Sequence, residues 1–448
     1  MARTSARATA VIAWRIVRKT ATFAIITLFA INILNFYDRN VAGALTEPMR
    51  KEFHLTDTQV GLLGSAFIWL YALIGVPLGK IADVWSRKKL LAWGILIWSA
   101  LTAFTYFVAN FGMLMFSRLG VGVGEAACAP TATSWLGDLV PPTRRARALG
   151  LFMLGVPVGG ALSYFFSGPV AQAYGWRVAM VLAAAPALLL IPALLMLHEP
   201  ERGAAETHRE TASGASMWSV LKIPTLLWII ASGALVNFNM YAIGTFMPAM
   251  FGRIYHLNVG AAGIKTGIVY MVGGVIGGLS AGFAGDYIIH KRQNGRMLLG
   301  ALFTLCGAPF AYFGTAAHDL TIAVICWTIA YASLNTYYGC VYSSIQDIVA
   351  PAQRGATMAL YFMAMYLCGA SFGPLLTGKL SDMFARRAAD LAGLAAINDA
   401  AKAIGLQQAM LIVPVLSAAL AFVLFMGSRT IIKDMGRRRE AAVAARVA

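Results

Sequence analysis

The amino-acid sequence predicts an all-α integral membrane protein, with twelve transmembrane helices arranged as two pseudo-symmetric six-helix bundles. Three observations support this fold class. Of the 448 residues, 59% are hydrophobic and only 12% are charged, whereas soluble globular chains average about 25% charged residues. The apolar residues form blocks of about twenty, the length that crosses a bilayer as a helix. A weak internal repeat relates the two halves of the chain.

Twelve apolar blocks predict the twelve spans. The first block follows a basic segment, but it is too long for a signal peptide and has no convincing cleavage site, so we interpret it as a mature helix. The predicted spans are residues 21–45, 58–82, 90–110, 111–135, 147–171, 176–197, 225–251, 262–286, 296–316, 320–344, 355–380 and 406–430.

The net charge of +17 reflects membrane topology rather than nucleic-acid binding. Basic clusters lie before the first span, in alternate loops and after the last span, and the positive-inside rule places these segments in the cytoplasm. Arg386 and Arg387 are an exception on the outer side. We therefore expect both termini to be cytoplasmic, in a bacterial inner membrane. The clusters include Arg15, Arg18, Lys19, Arg87, Lys88, Lys89, Arg144, Arg145, Arg147, Lys291, Arg292, Arg437, Arg438 and Arg439.

A polar segment between the sixth and seventh spans divides the chain. HEPERGAAETHRETASGAS, residues 198–216, has no apolar periodicity and predicts a cytoplasmic linker. The predicted organisation is a basic tail (1–20), a six-helix bundle (21–197), the linker (198–224), a second six-helix bundle (225–430) and a basic tail (431–448).

The internal repeat appears at equivalent places in the two halves. GDLVPPTRRARA, which begins at Gly137, matches QDIVAPAQRGAT, which begins at Gln346. GKIAD, residues 79–83, likewise matches GFAGD, residues 282–286. A duplicated six-helix unit with a linker is typical of an alternating-access carrier, whose site lies between the halves near the middle of the membrane.

Several motifs resemble those of the major facilitator superfamily. They are the loop GKIADVWSRKK from Gly79, RLGVGVGEAACAP from Arg118 and GVPVGGALSY from Gly155. Together with NFYDRN at 35–40, FHLTDTQVGLL at 53–63, EPERGAAE at 199–206 and TFMPAMFGRIYHL at 245–257, these look most like the Spinster branch of lysolipid and sphingolipid transporters. Organic-anion symporters of the same superfamily share the Asp-Arg first helix and the GVGE motif. The loop departs from the superfamily pattern at Val84 and Ser86.

The resemblance implies roles for the residues of this loop. Gly79, Asp83, Arg87 and Lys88 would form a gating loop, in which Asp83 and Arg87 latch the inner gate while the carrier faces outward. Solvated loop charge is the alternative.

Four charged residues lie inside apolar spans: Asp38 and Arg39 in the first, and Arg118 and Glu125 in the fourth. A charge at the centre of a bilayer costs about 2.5–3.5 kcal/mol on insertion scales. At a rise of about 1.5 Å per residue, Asp38 and Arg118 both lie roughly 10 Å below the outer surface, so they could meet. Arg118 and Glu125 share one helix face. Arg39 is turned about 100° from Asp38 and is expected to face another partner.

We interpret Asp38 and Glu125 as proton-coupling carboxylates, with Arg39 and Arg118 as charge partners or anchors for a substrate headgroup. A carboxylate in a low-dielectric cavity gains proton affinity, and a nearby arginine opposes this effect. Alternating exposure would then couple proton movement to conformation. A purely structural ion-pair network is the alternative, although buried pairs are poor stabilisers.

Neutral polar residues complete the predicted cavity. Their alternative role is hydrogen bonding between helices. The candidates for the cavity lining are Asn35, Tyr37, Asn237, Asn239, Tyr241, Asn335, Tyr337 and Tyr338. In the fifth span, Gly155, Pro157, Gly159 and Gly160 predict either helix bending during the access switch or close packing.

Other function classes lack support in the sequence. The five cysteines lie in apolar blocks without a CxxC pair, and the six histidines lie near span ends, so we expect no metal, redox centre or cofactor. No phosphate-binding loop and no catalytic constellation is present. We therefore expect a monomeric, non-enzymatic, proton-coupled carrier of an amphiphilic or lysolipid-like anion. The alternatives are a symporter for a small carboxylate and, from a different class, a membrane receptor without transport activity.

Overall fold

The structure, a computed structural model, describes residues 2–202, 204, 217–350 and 353–447. The first half contains α1 (Ala2–Ala44), α2 (Thr46–Glu52), α3 (Asp57–Val84), α4 (Arg87–Phe104), α5 (Phe111–Glu125), α6 (Cys128–Leu139), α7 (Pro142–Met153), α8 (Gly155–Tyr174), α9 (Trp176–Ala184) and α10 (Ala187–Met196). Residues 203 and 205–216 of the predicted linker lie outside the described residues.

The second half is also helical. It contains α11 (Pro224–Ile254), α12 (Val259–Ile268), α13 (Gly274–Ile289), α14 (Gly295–Ala316), α15 (Leu320–Ile348), α16 (Arg354–Met365), α17 (Phe372–Leu391), α18 (Asp399–Met410) and α19 (Ile412–Val447). One-turn π-helices join α12 to α13 at Val269–Gly273 and α16 to α17 at Tyr366–Ala370. Such π-helical turns are frequent at functional sites.

The predicted fourth span is interrupted. Within the described ranges, eleven helical segments are long and apolar enough to cross a membrane. The remaining predicted span, the fourth at 111–135, is split into α5 and α6 at Ala126–Ala127. Neither piece is long enough by itself to count as a membrane-crossing helix. Pro130 lacks a backbone N–H, and its ring clashes with the carbonyl four residues earlier, which explains a break one turn before it. The fold remains the predicted one.

The internal repeat is visible as matching contacts in the two halves. Arg145 donates a hydrogen bond to the carbonyl of Gly137 at 2.7 Å, and Arg354 donates to the carbonyl of Gln346 at 3.2 Å. In each half the arginine donates to the carbonyl group eight residues earlier, across the equivalent loop. The sequence match between these loops therefore corresponds to a shared local structure.

A continuous apolar core joins the two bundles at one end. Leu45 and Leu63 of the first half belong to the same buried cluster as Phe246 and Met250 of the second. Glycines allow the backbones to approach: a Cβ on Gly61 would lie 2.2 Å from the carbonyl oxygen of Pro374. We call this end, which carries Glu47, Asp57 and Arg253, the closed face.

The bundles separate towards the opposite end, which carries Arg87 and Arg296 and which we call the open face. A Cβ on Gly274 would lie 3.0 Å from Pro157, whereas one on Gly278, one turn further along the same helix face, would meet nothing within 4 Å. Among the described residues, the hydrogen bonds and ion pairs between the bundles all lie between Arg39 and the closed face. The structure is therefore an open-face conformation of the carrier fold.

Candidate functional site

A cluster of four buried charged residues lies where α1 meets the interrupted fourth span. α1 contributes Asp38 and Arg39, and α5 contributes Arg118 and Glu125 two turns apart on one face. Glu125 is the last residue of α5, immediately before the break. The four residues carry two formal positive and two formal negative charges, so the cluster can be neutral as a whole while its individual groups are not all paired.

Arg39 is the best-connected member of this central cluster. Its Nε donates to Glu125 Oε2 at 3.0 Å, in an ion pair whose side chains are 5% and 0% exposed. Its terminal nitrogens donate to the Tyr241 hydroxyl and to Asn35 Oδ1, both at 3.4 Å. The guanidinium also lies over the Tyr71 ring, 4.4 Å from the centroid. Tyr241 belongs to the second half, so Arg39 connects the two bundles.

Asp38 and Arg118 do not form the expected direct pair. Each interacts electrostatically with the other, but no described carboxylate lies within 4.0 Å of Arg118, whose guanidinium instead lies 5.9 Å from the centre of the Phe67 ring. The indole of Trp98 faces Asp38 outside hydrogen-bonding geometry. Aromatic rings thus line the space around both charges. The ion pair that the structure forms is Arg39–Glu125, not the Asp38–Arg118 pair expected from depth along the helices.

Several buried polar atoms of the cluster have no hydrogen-bond partner among the described residues. They are both carboxyl oxygens of Asp38, Oε1 of Glu125, Nη1 of Arg118 and Nδ2 of Asn35. Most buried polar groups in proteins are satisfied, and a concentration of exceptions requires a functional explanation. The free oxygens can accept protons, and the free nitrogens can donate to an anion.

Aromatic residues form the opposite wall of this site. Tyr366, in the π-helix between α16 and α17, packs edge-on against Tyr71 at 5.3 Å and against Tyr241 at 6.3 Å. The Tyr338 hydroxyl donates to Asn237 Oδ1 at 3.3 Å. Tyr241 therefore lies against the charged cluster, since its hydroxyl accepts from Arg39, whereas Asn237 also donates to Met365 Sδ at 3.2 Å, within the second bundle. Tyr71 and Tyr366 were not predicted as site residues, because isolated aromatics in an apolar span are not distinctive.

Two predicted lining residues make contacts inside the second bundle instead. Asn239 is fully buried and donates to the Ser417 hydroxyl at 3.1 Å. Tyr337 is also fully buried, with its hydroxyl 2.8 Å from that of Ser232 and 2.9 Å from that of Tyr361. Both side chains hold helices together in this conformation, as the alternative interpretation expected.

Two further candidates are partly buried. The Tyr37 hydroxyl lies 2.9 Å from the Ser167 hydroxyl, linking α1 to α8. Asn335 donates to the carbonyl of Tyr331, one turn earlier, at 2.9 Å. Neither side chain contacts the central charges through a hydrogen bond.

The fifth span combines a break with close packing. Its helices α7 and α8 are separated at Leu154, three residues before Pro157. Added Cβ atoms on Gly155 and Gly159 would lie 2.8 Å from Asn32 Nδ2 and 2.4 Å from the Ile33 carbonyl oxygen, so these two glycines let α8 pack against α1. An added Cβ on Gly160 would lie 3.3 Å both from Asn40 Nδ2 of α1 and from the Tyr270 ring of the second bundle.

The predicted Asp83–Arg87 latch is not formed in this conformation. Asp83 is exposed and has no ion pair within the described part of the chain. Arg87 is fully buried and pairs with Asp138 at 2.5 Å and Glu199 at 3.2 Å. These partners satisfy its guanidinium inside the first bundle. Gly79, one turn before Asp83, has only Pro130 nearby, at 4.0 Å from an added Cβ.

Glu199 caps the N-terminus of α4. It accepts hydrogen bonds from the Ser86 hydroxyl at 2.7 Å and from the backbone N–H groups of Arg87 and Lys88 at 2.9 and 3.2 Å. Although burial would raise the pKa of Glu199, these hydrogen bonds lower it below its ordinary value. Lys88 Nζ donates to the carbonyl of Leu197 at 2.8 Å. The end of the sixth span is thereby tied to the gating loop.

A second ionic network closes the opposite end of the molecule. Arg253 of α11 forms two hydrogen bonds of 2.7 Å with Asp57 of α3 and a 3.0 Å ion pair with Glu47 of α2. Arg50 pairs with Glu47 at 2.6 Å. Burial would raise the pKa of Glu47, but the charges of Arg253 and Arg50 hold it below its ordinary value. We call these residues the closed-face network.

Helix α17 contributes two more residues to this network. The Ser381 hydroxyl donates to Asp57 at 2.6 Å, and Asp382 accepts the backbone N–H groups of Asp57 and Thr58 at 3.0 and 2.8 Å. Asp382 therefore caps α3 across the bundle interface, alongside the capping box of Thr56 within α3.

The sequence prediction missed the closed-face network. Its local signal is the Thr56–Gln59 capping pattern, which marks a helix start. Its ionic contacts between the bundles join residues 196 and 206 positions apart.

Comparisons with known proteins agree with this fold. A family model described as Major Facilitator Superfamily matches residues 28–374. An MFS-type efflux pump of Mycolicibacterium smegmatis is 28% identical over 368 residues, covering 81% of this chain and 85% of that protein. The sphingosine-1-phosphate transporter SPNS2 of Xenopus tropicalis is 28% identical over 372 residues, covering 79% and 72%. A crystal structure of a bacterial homolog of the human lysosomal transporter Spinster, inward-facing and unoccupied, matches with a TM-score of 0.83 and 27% identity, covering 93% and 98% of the two chains.

Proposed function

The chain belongs to the Major Facilitator Superfamily, whose members are transporters rather than enzymes, and on this premise we propose a proton-coupled secondary active transporter of an amphiphilic, lysolipid-like anion. It would work by alternating access between the open-face conformation and one in which the closed face opens. The observation that carries the proposal is the central cluster, because its buried charges are incompletely paired at the interface between the bundles.

Proton coupling follows from the unequal surroundings of the two carboxyl groups. Asp38 can accept a proton without breaking a hydrogen bond, since neither oxygen has a described partner. Protonation of Glu125 at Oε2 would release Arg39, which also contacts Tyr241 of the second bundle. Proton uptake would thereby alter a contact between the halves. Ionisable residues inside membrane spans are costly and are retained for such roles.

The substrate class is supported by the shape of the open-face half. Below Pro157 and Gly274 the fifth and eighth spans diverge, because an added Cβ on Gly278 would meet nothing within 4 Å, and Met153, one turn before Pro157, is 44% exposed. The slot between these spans admits an acyl chain from the bilayer, while Arg118 Nη1 is free to bind an anionic headgroup. The similar protein named for sphingosine-1-phosphate transport supports the same substrate chemistry.

We place the open face in the cytoplasm of a bacterium, because the basic loops lie there. The test uses intact cells that express single-cysteine variants, in which the five native cysteines are replaced by serine. A maleimide that does not cross the membrane should label Arg387→Cys on the closed face and should not label Lys291→Cys on the open face. Both side chains are exposed. The opposite labelling pattern would reverse the proposed orientation.

Transport into proteoliposomes with an imposed pH gradient tests the function. We expect Glu125→Gln and Asp38→Asn each to lower gradient-driven accumulation of a lysophospholipid at least tenfold. Glu201→Gln, the same chemical change on an exposed residue, should leave accumulation intact. Full accumulation by both central variants would refute proton coupling.

The same assay separates the alternative functions. Accumulation of a small carboxylate, but not of a lysophospholipid, would indicate an organic-anion symporter. Binding of a lysophospholipid without flux, in a protein that otherwise remains folded, would indicate a receptor.

A further inference from the structure

A groove on the perimeter of the open face lies apart from the central cluster. It has a volume of about 240 Å³ and lies between the end of α13 and the start of α14. Four of its six lining residues are apolar and two are basic. The lining consists of Ile288, Lys291, Arg292, Leu298, Leu299 and Leu302.

The basic residues belong to a loop that is longer than its counterpart in the first bundle. Three residues separate Asp83 from Arg87, but nine separate Asp286 from Arg296, which occupies the equivalent position and pairs with Asp347 at 3.0 Å. The extra residues are ordered by a tight turn. The backbone N–H groups of residues 291 and 292 both donate to the carbonyl of residue 288, at 3.0 and 2.9 Å.

These two cations have no acidic partner within the described side chains. Lys291 Nζ donates to the Tyr287 hydroxyl at 2.6 Å, and Arg292 makes no side-chain hydrogen bond or ion pair with a described residue. By contrast, Arg87 pairs with Asp138 and Glu199, and its equivalent Arg296 pairs with Asp347. The longer loop therefore presents two positive charges to which the described side chains supply no carboxylate.

The apolar wall continues from these charges into the membrane. Leu298, Leu302 and Leu305 follow one face of α14 at intervals of four and three residues, and Leu302 and Leu305 are 57% and 55% exposed. Cations at the end of a span above an apolar strip match the two parts of an anionic phospholipid. A soluble acidic peptide would match the charges but not the strip.

We propose that this groove binds an anionic phospholipid, with its phosphate at Lys291 and Arg292 and an acyl chain along the leucines of α14. The lipid is a resident ligand distinct from the transported substrate. Each basic residue near an anionic headgroup contributes about fivefold to binding, so removing both should weaken it roughly 25-fold.

The first measurement is the thermal stability of the protein in detergent with one of three additions: phosphatidylglycerol, phosphatidylcholine with the same acyl chains, or glycerol 3-phosphate. The second is the number of bound lipids, counted by native mass spectrometry. Phosphatidylglycerol alone should stabilise the protein and remain bound. Lys291→Gln with Arg292→Gln should lose both effects, whereas the charge-preserving pair Lys291→Arg with Arg292→Lys should keep them.

Matched controls separate this site from general electrostatics and from the transport site. Arg386→Gln with Arg387→Gln removes an exposed basic pair on the closed face and should retain the lipid effect, as should Glu125→Gln in the central cluster. Unchanged phosphatidylglycerol binding in the Lys291/Arg292 double glutamine variant would overturn the proposal. Equal stabilisation by glycerol 3-phosphate would also overturn it by showing that no lipid chain is required.

Discussion

At the scale of single residues, the two members of the Asp38–Arg39 pair have different surroundings. Arg39 has a carboxylate, a hydroxyl and an amide oxygen as partners. Asp38, one position earlier, has none among the described groups. Adjacent residues on a helix point about 100° apart, so one faces the second bundle while the other faces the interior of the first. This asymmetry is the basis of the proposed proton coupling.

Arg87 is a second buried charge, but its environment indicates a structural role. It is fully buried with two carboxylates, and it also donates to the carbonyls of Ser134 and Pro200 at 3.2 and 2.6 Å. Its contacts lie within the first half of the chain. The guanidinium therefore ties α4, α6 and the end of the sixth span together.

Arg87→Gln should strongly destabilise the protein. Removing one partner of a buried ion pair leaves an uncompensated charge and costs about 3–5 kcal/mol. Thermal unfolding in detergent would measure the loss. Arg296→Gln, the equivalent change in the second bundle, should cost less, because the Arg296 and Asp347 side chains are 18% and 30% exposed. Equal losses for the two variants would contradict this assignment.

At the scale of helices, the closed face is held by helix ends rather than helix centres. The N-terminus of α3 is capped by Asp382 of α17, and Arg253 near the end of α11 holds Asp57 and Glu47. These contacts join the bundles through polar groups that water can satisfy when the face opens. Such a contact can therefore break and re-form as the face opens and closes.

Arg253→Gln should favour opening of the closed face. It leaves the buried Asp57 and the partly buried Glu47 without their shared cation, which penalises the closed state. A maleimide should label Ala42→Cys, partly buried below this face, at least tenfold faster in a cysteine-free background. Arg386→Gln, an exposed control on α17, should leave the labelling rate unchanged. Unaltered labelling in the Arg253 variant would show that the network does not hold the face closed.

The contribution of Glu47 to closure should be insensitive to pH between about 5.5 and 8. The pKa of Glu47 is lowered in the closed state by Arg253 and Arg50, against the effect of burial. Its ionised form therefore stabilises closure fully above the ordinary glutamate pKa of about 4.3, and this stabilisation is lost as the pH falls through the lowered value. Quenching of a fluorophore at Ala42→Cys would report opening. If opening titrated near neutrality, the pH response of this face would have to come from a group other than Glu47.

At the scale of the whole molecule, the two bundles form one continuous core at the closed face and diverge at the open face. The fifth and eighth spans touch at Pro157 and Gly274 and separate beyond them. Breaks in the spans lie near this point of separation. They include the break in the fourth span after Glu125 and the break in the fifth span at Leu154. Helix breaks near the substrate path are common in carriers, because irregular backbone is tolerated where it lines a cavity.

Gly278→Trp should obstruct the lateral slot. An added Cβ at this position meets nothing within 4 Å, so the backbone leaves room for a side chain to project there. We expect lysophospholipid transport to fall at least tenfold in proteoliposomes while the protein remains folded. Gly436→Trp, at a similarly unobstructed position on α19, should transport normally. Full lysophospholipid transport by the Gly278 variant would exclude entry through this slot.

The sequence by itself determined the membrane-spanning architecture, the family resemblance and the identity of the costly charges. Long apolar blocks, a duplicated loop and isolated ions in apolar spans are local signals, and local composition decides whether a segment can enter a bilayer. Even the break after Glu125 has a local cause in Pro130.

Only the tertiary structure decided which charges pair. Arg39 is 86 positions from Glu125, Arg87 is 112 from Glu199 and Arg253 is 196 from Asp57. Depth along a helix brings groups to the same level, but helix rotation and the spacing between neighbouring helices decide which of them touch. Those quantities depend on the packing of all twelve spans together, and a one-dimensional pattern does not contain them.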